Sequence, residues 1–124
     1  MRFETHKAAA EEYLKIAEAL DLQKNKENDD DRNTALRIVA AQNYFYAAVN
    51  CVEAVFAKKL SVHSFSHENR MNRMIENNKL FTKEILDLYE LVDRDQRNKV
   101  TYRGENGEKY KNIKKLAILL RETL

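Results

Sequence analysis

The feature that most constrains the fold of this chain is its near lack of turn-forming residues. The 124 residues contain no proline and only two glycines, Gly104 and Gly107. β-Sandwiches and barrels need such residues at frequent intervals, wherever the chain reverses between strands. Helical bundles need far fewer, because a few short connections join long helices. The sequence therefore predicts an all-α protein, and its length predicts one domain, residues 1–124, with a single hydrophobic core.

Helical periodicity predicts four long helices and one short helix. Apolar residues at helical spacing place them at about residues 3–22, 31–60, 66–77, 82–102 and 107–123. The stretch "QKNKENDDDRN", residues 23–33, has no apolar residue and predicts a solvated loop, with its aspartates at the start of the next helix. We expect Ser66 to cap the short helix and Gly104 to end the fourth. The expected architecture is an antiparallel, up-and-down four-helix bundle with an additional short helix.

No part of the sequence has the pattern of a secreted or membrane protein. The N-terminal stretch "MRFETHKAAAEEYLK" lacks the apolar core of a signal peptide, and polar residues interrupt the most apolar window, residues 38–57. The single cysteine, Cys51, cannot form an intrachain disulfide, and its apolar surroundings predict an inert core thiol. The sequence also lacks a glycine-rich phosphate loop and a serine-hydrolase elbow. We expect a cytoplasmic protein with no cofactor.

The second predicted helix is apolar on nearly every side through "YFYAAVNCVEAVFA". We expect another subunit to cover part of it, which predicts a homodimer. Three of its polar residues, Asn43, Asn50 and Glu53, lie with Tyr46 along one stripe of the helix. Two interpretations of this stripe are open, and both can hold at once. The stripe pairs with neighbouring helices and fixes their register, or Glu53 or Asn50 faces Arg97 and orients it.

Two histidines stand at a spacing that suits metal binding. His63 and His67 are four residues apart and Glu68 follows. Histidines at this spacing on one helical face bind zinc, but a closed site needs further ligands, and none follows nearby. We therefore expect no metal site and interpret these residues as loop and helix-capping residues.

A cluster of hydrogen-bond donors lies near the end of the fourth predicted helix, in "RDQRNKVTYRG", residues 94–104. Residues 94–115 carry eight Lys/Arg against three Asp/Glu, whereas residues 1–60 carry nine against ten. Guanidinium groups suit bidentate contacts to phosphate. The alternative is an ordinary solvated helix end, in which Arg97 pairs with Asp93 one turn earlier. The candidate binding residues are Arg94, Arg97, Asn98, Lys99, Tyr102 and Arg103, with further phosphate contacts from the lysines between Lys109 and Lys115.

Three motifs occur together over about residues 36–120: the aromatic-rich helix "AQNYFYAAVNCVEAVFAKKL", the loop "VHSFSH" and the stretch "RNKVTY". In these motifs the chain resembles the HEPN family of small helical-bundle proteins. The resemblance implies a dimeric helical bundle and metal-independent endoribonuclease activity, often that of a toxin paired with a small nucleotidyltransferase as its antidote. The family's signature is an arginine, commonly followed by a polar residue, with a histidine a few residues further on. Arg97 and Asn98 match its first half.

The histidine of that signature is missing, and Tyr102 stands near its place. A tyrosine with an ordinary pKa of about 10 is a poor base for activating a ribose hydroxyl, although it can stack on a nucleobase. His63 is an alternative proton carrier. Three functions stay open. The favoured one is binding of RNA or a nucleotide at Arg97 with weak or no cleavage. The second is a true ribonuclease, with Arg97, Asn98 and Tyr102 as its catalytic residues. The third is a non-catalytic partner of a nucleotidyltransferase.

Overall fold

The computed structural model describes residues 2–124 and is an all-α bundle of five helices. A short 3-10 turn, Asn78–Leu80, lies between the third and fourth helices, and no strand occurs in the described part of the chain. The predicted all-α class is confirmed, and no helix end lies more than three residues from its predicted position. The helices are α1 (Phe3–Asn25), α2 (Asp30–Lys59), α3 (His67–Glu76), α4 (residues 83–103) and α5 (Glu108–Arg121).

The connection between α1 and α2 is shorter than predicted. Residues 23–33 were expected to form a loop, but only residues 26–29 lie between the two helices. Asp29 caps α2, since its carboxylate accepts the backbone N–H of Arg32 at 2.8 Å. The Asn33 amide reaches back across the turn and donates to the Lys24 carbonyl at 2.8 Å. These bonds satisfy backbone groups at both helix ends, so helix extends into a stretch that contains no apolar residue.

The second helix, α2, is the centre of the bundle. It packs against α1, α5 and the C-terminal part of α4. Its apolar residues from Ala40 to Phe56 are almost all buried within the single chain; Tyr46, which is exposed, and Val49 are the exceptions. No helix within residues 2–124 is both long enough and apolar enough to cross a membrane. The dimer was predicted from the need to cover the apolar surface of α2. That argument is wrong, because the chain covers α2 without a second subunit. The homodimer itself stays a prediction, which light scattering at micromolar concentration tests.

Two predicted helix boundaries have the expected caps. The Ser66 hydroxyl accepts the Asn69 N–H at 3.0 Å at the start of α3. Gly104 adopts the left-handed conformation, with φ 67°, and its N–H donates to the Val100 carbonyl at 3.1 Å. A side chain at this position would also come within 3.0 Å of the Thr34 methyl group. The left-handed backbone thus favours glycine at the end of α4, and the close methyl group leaves little room for a side chain.

The single cysteine is buried in α2, as the sequence predicts. Burial raises the pKa of the Cys51 thiol to about 12, with the Glu11 carboxylate adding to the effect. The thiol is therefore protonated at neutral pH and unsuited to nucleophilic chemistry.

Candidate functional site

The fourth helix contains a wider turn at the position of the predicted site. Residues Val92–Gln96 are π-helical, and the Arg97 N–H donates to the Val92 carbonyl five residues earlier. An α-helix rotates by about 100° per residue, and one π-turn delays that rotation by about one residue. Without it, Arg97 would lie about 120° around the helix from Ile85. The wider turn instead brings Arg97 close to the buried stripe that Ile85 and Tyr89 form, so Arg97 faces the bundle.

The Arg97 side chain is held in a partly buried setting. Its guanidinium carbon lies 4.8 Å from the centroid of the Phe45 ring, which is a cation–π distance. Its Nη2 lies 3.8 Å from Asp93 Oδ1, and only 23% of the side chain is exposed. The buried Nε of Arg97 and Oδ1 of Asp93 have no hydrogen-bond partner among the described residues. This is not the solvated helix end that the alternative interpretation describes, although the expected Asp93 contact is present.

A histidine that sequence reasoning did not place here lies against the same carboxylate. Nδ1 of His67 is 3.5 Å from Asp93 Oδ1, and the imidazole ring centroid is 6.0 Å from that of Phe45. His67 is the first residue of α3, directly after the Ser66 cap. The cap thus fixes where α3 begins and directs His67 toward the π-turn of α4. The side chain remains 55% exposed, so solvent or a ligand reaches the ring.

Arg97 and His67 share one surface cleft, which we call the α3–α4 cleft. Its volume is about 350 Å³, within the range of about 300–1,000 Å³ that is common for small-ligand sites. Two arginines, one histidine and two carboxylates meet in it, so it offers both cationic and proton-transferring groups. It is lined by His67, Glu68, Met71, Asn72, Asp93, Arg94 and Arg97.

Partial burial of the ring lowers the pKa of His67 below its ordinary value of 6.5. The Asp93 carboxylate opposes this change because it stabilises the imidazolium ion, whereas Arg70 and Arg97 add to it by repulsion. The lowered pKa favours the neutral imidazole at pH 7. A neutral imidazole can accept a proton, which is the capacity that Tyr102 lacks.

The buried carboxylate of the predicted polar stripe supports α3 instead of contacting Arg97. Glu53 Oε2 accepts from Arg70 Nε at 2.7 Å, and Oε1 accepts the Ser64 N–H at 2.8 Å. Burial alone would raise the pKa of Glu53, but the hydrogen bonds from Ser64 and Arg70 outweigh it, so this pKa is lowered. The predicted contact from Glu53 to Arg97 is corrected: Glu53 ties α2 to the loop before α3 and to α3 itself.

The other members of the stripe are not buried. The Asn50 amide donates to the Tyr46 carbonyl at 2.9 Å, and its Oδ1 lies 3.1 Å from Nδ1 of His6. Asn43 donates to the Val39 carbonyl of its own helix at 2.8 Å. The described contacts therefore fit the first interpretation of the stripe, in which its polar groups hold neighbouring segments, and Asn50 does not orient Arg97.

Most of the donors predicted to surround Arg97 point elsewhere. Asn98 and Arg103 are exposed, and Tyr102 is 80% exposed; none of them lines the α3–α4 cleft. Lys99 forms an ion pair with Asp95 at 2.9 Å and also lies outside the cleft. These residues follow Arg97 by one, two, five and six positions, which rotates each of them at least about 100° away on a helix. The predicted compact set is corrected to Arg94 and Arg97.

Acidic neighbours balance much of the local positive charge. Arg94 pairs with Glu90 at 3.0 Å on the cleft rim. Three of the lysines between 109 and 115 are also paired, at 2.7–3.3 Å: Lys109 with Glu105, Lys114 with Asp21 and Lys115 with Glu84. The exposed pairs Arg94–Glu90 and Lys115–Glu84 are weak and exchange partners readily, whereas Lys114 pairs with a carboxylate that is only 10% exposed. The positive electrostatic potential at the surface is therefore weaker than the excess of Lys and Arg in the sequence suggests.

The two histidines considered for a metal site lie in different surroundings. The His63 ring stacks on that of buried His6, with a centroid distance of 5.1 Å and an interplanar angle of 22°. His67 lies in the α3–α4 cleft. No group of three or more potential metal ligands occurs among residues 2–124.

The family resemblance rests on sequence motifs alone. Comparison of the chain with protein-family models, with curated proteins and with solved structures finds no match. The function is therefore argued from the geometry of the α3–α4 cleft.

Proposed function

We propose that this protein binds single-stranded RNA through a phosphate group in the α3–α4 cleft and cleaves it slowly without a metal ion. One observation carries the proposal: Arg97 Nη2 and His67 Nδ1 lie 3.8 and 3.5 Å from the same oxygen of Asp93. A cation for phosphate and a neutral imidazole for proton transfer therefore meet at one point. The resemblance to HEPN ribonucleases supports the same chemistry, with His67 supplying the missing histidine from another helix.

Arg97 is the phosphate-binding group in this proposal. Its guanidinium is only partly exposed and is held over the Phe45 ring, so little conformational entropy is lost on binding. Its Nε is buried and out of reach of a ligand, so we assign the phosphate contacts to the two terminal nitrogens of the guanidinium. Arg94 on the rim adds a second, more exposed positive charge. Both residues recognise the backbone, so we expect little preference for base sequence.

His67 is the general base. It takes the proton of a ribose 2′-hydroxyl as that oxygen forms a bond to the adjacent phosphorus. The bond from phosphorus to the 5′-oxygen then breaks, and the departing oxygen takes a proton from water or from the imidazolium ion. The products are a 2′,3′-cyclic phosphate and a 5′-hydroxyl end. Arg97 stabilises the charge that develops on the phosphoryl oxygens. His67 is the single histidine among the described residues that line the cleft, so one group does the work for which two are ideal, and we expect slow turnover.

The test incubates end-labelled single-stranded RNA with the protein in EDTA and identifies the product ends. The variants His67→Gln and Arg97→Gln each have a matched control elsewhere on the surface. His63→Gln removes an exposed histidine four residues earlier, outside the cleft, and Arg103→Gln removes an exposed arginine of the same helix. DNA of the same sequence lacks the 2′-hydroxyl and is the substrate control.

We expect His67→Gln to slow cleavage by about 10²–10⁴-fold while RNA retention persists, because only proton transfer is lost. Arg97→Gln should lose both retention and cleavage, and the two control variants should behave as the parent does. Intact RNA with Arg97-dependent retention would reduce the proposal to a binding site. The proposal would be overturned if Arg97→Gln kept both RNA retention and RNA cleavage, or if the parent protein did not retain RNA. Either result would favour the role as a partner of a nucleotidyltransferase.

A further inference from the structure

Nδ1 of His67 lies between two groups of opposite hydrogen-bonding character. Arg70 Nη1 is 3.2 Å from it, and Asp93 Oδ1 is 3.5 Å from it. A guanidinium only donates hydrogen bonds, and a carboxylate only accepts them. Nδ1 can therefore serve one neighbour at a time: without a proton it accepts from Arg70, and with a proton it donates to Asp93.

The donor is fixed rigidly and the acceptor is not. Arg70 is held by its 2.7 Å bond to Glu53, and Glu53 is held in turn by the Ser64 amide. Both side chains of this ion pair are at least nine-tenths buried. Asp93 Oδ1, by contrast, has no hydrogen-bond partner among residues 2–124 and lies 3.5 Å from His67 and 3.8 Å from Arg97. The shorter and better anchored of the two contacts to Nδ1 is the one from Arg70.

We propose that Arg70 is a positioning residue that keeps the proton of neutral His67 on Nε2, and that phosphate binding at Arg97 transfers Nδ1 to Asp93. When an anion engages Arg97, Asp93 loses one of its two compensating partners and gains from accepting Nδ1–H. The ring then carries its proton on Nδ1, and Nε2 becomes a free base. In the resting tautomer Nε2 is a donor and cannot take a proton.

This inference deepens the proposed function, and its catalytic consequence rests on that function: the base forms only when phosphate is present. The tautomer itself does not depend on RNA cleavage. The charged groups that face His67 are Glu68 and Arg70 from its own helix, and Asp93, Arg94 and Arg97 from α4. From α2, the Phe45 ring faces it directly, and Glu53 acts through Arg70.

The test records long-range ¹H–¹⁵N correlations of the histidine rings in ¹⁵N-labelled protein at a pH where His67 is neutral. The His67 signals are assigned by their loss in His67→Gln. The probe is a single-stranded 2′-deoxy oligonucleotide, which carries phosphate but cannot be cleaved by this route. We expect the proton on Nε2 without the probe and on Nδ1 with saturating probe. A proton on Nδ1 in the free protein, or no change on saturation, would overturn the proposal.

Two variants separate the roles of the two neighbours. Arg70→Lys keeps a positive charge opposite Glu53 but lacks the forked group that reaches both Glu53 and His67. We expect it to place the proton on Nδ1 even without the probe and to raise the pKa of His67. Asp93→Ala removes the alternative acceptor, so the proton should stay on Nε2 with the probe bound. An unchanged tautomer in Arg70→Lys would contradict the role of Arg70. Failure of RNA cleavage alongside the expected tautomers would overturn only the ribonuclease.

Discussion

Two aspartates in this protein have similarly exposed side chains but different surroundings. The side chain of Asp21, at the contact between α1 and α5, is 10% exposed, and that of Asp93, in α4, is 9% exposed. Asp21 accepts from the Tyr110 hydroxyl at 2.6 Å and from Lys114 Nζ at 2.7 Å. Within the described part of the chain Asp93 Oδ1 makes no hydrogen bond, and it lies 3.5 Å from His67 and 3.8 Å from Arg97.

The quality of the hydrogen bonds around each carboxylate distinguishes a charge that stabilises the fold from one that is available for function. Burying a carboxylate is costly, and good hydrogen bonds offset the cost only when they are short and well aligned. Around Asp21 that condition is met, so its charge holds two helices together. Around Asp93 it is met only in part, so its charge is available to a ligand or to a shift of a proton. Loose contacts of this kind are common in active sites before substrate binds.

The largest expected difference between the two aspartates is in their contribution to folding stability. Asp21→Ala leaves the buried Tyr110 hydroxyl without its acceptor, and we expect the free energy of unfolding to fall by about 2–3 kcal/mol. Asp93→Ala removes weaker contacts and should cost less than about 1 kcal/mol. Urea denaturation of both variants beside the parent measures the two changes. Equal losses in the free energy of unfolding would show that the two carboxylates stabilise the fold equally, and would contradict the distinction between them.

A smaller effect is expected on ligand binding. Asp93→Ala removes an anion that competes for Arg97, so the variant should bind a single-stranded 2′-deoxy oligonucleotide about fivefold more tightly, the equivalent of about 1 kcal/mol. RNA cleavage should nevertheless become slower, because His67 loses the acceptor for its Nδ1 proton. Fluorescence anisotropy at fixed ionic strength gives the affinity. Asp21→Asn is the control, since it removes a charge outside the cleft, and weaker binding by Asp93→Ala would contradict the expectation.

The smallest effect concerns acid stability. Burial alone would raise the pKa of Asp21, but hydrogen bonds from Lys114 and Tyr110 and the charges of Lys114 and Lys24 lower it. The stabilisation from Asp21 is therefore complete above the ordinary carboxyl pKa of about 4 and is lost as the pH falls through the lowered value in the folded protein. Asp21→Asn should accordingly lose less stability on acidification than the parent.

Denaturation at pH 7 and at several acidic pH values measures this difference. Glu53, whose pKa is also lowered, titrates in the same sense in both proteins and forms a common background. The variant Asp87→Asn, at an exposed position, controls for the loss of one surface charge. An Asp21→Asn variant as acid-sensitive as the parent would show that Asp21 contributes no pH-dependent stability.

The fold was largely predictable because its determinants are local. The lack of proline, the helical spacing of apolar residues, the Ser66 cap and the Gly104 terminus are each visible in a few neighbouring residues. The loop at residues 23–33 was overestimated for a related reason. The bonds from Asp29 and Asn33 that extend the helices there join residues across a turn, and composition does not reveal them.

The site was only partly predictable, because it is a tertiary contact. Arg97 stood out by its chemistry, but its partner His67 lies thirty residues earlier in a different helix. The signal in the sequence, a histidine directly after a helix cap, indicated only a loop or capping residue or a weak metal site. The π-turn also has no sequence signature of its own, yet it decides which way Arg97 points. For that reason the sequence neighbours of Arg97, such as Asn98 and Tyr102, were assigned to the site, whereas His67, its neighbour in space, was not.

The π-turn in α4 has a consequence for how this site is inherited. The interval between Val92 and Arg97 holds one residue more than a regular α-helix needs, and the wider turn absorbs it. If one codon were lost there and the helix became regular, Arg97 would stand eleven residues after Ile85, about 20° around the helix, and would still face the bundle. Arg97 would turn away by about 100° only if the same residues wound as a regular α-helix. The site is thus expected to survive a one-residue deletion in this interval, so a gap there in a comparison of related sequences would not by itself mark its loss.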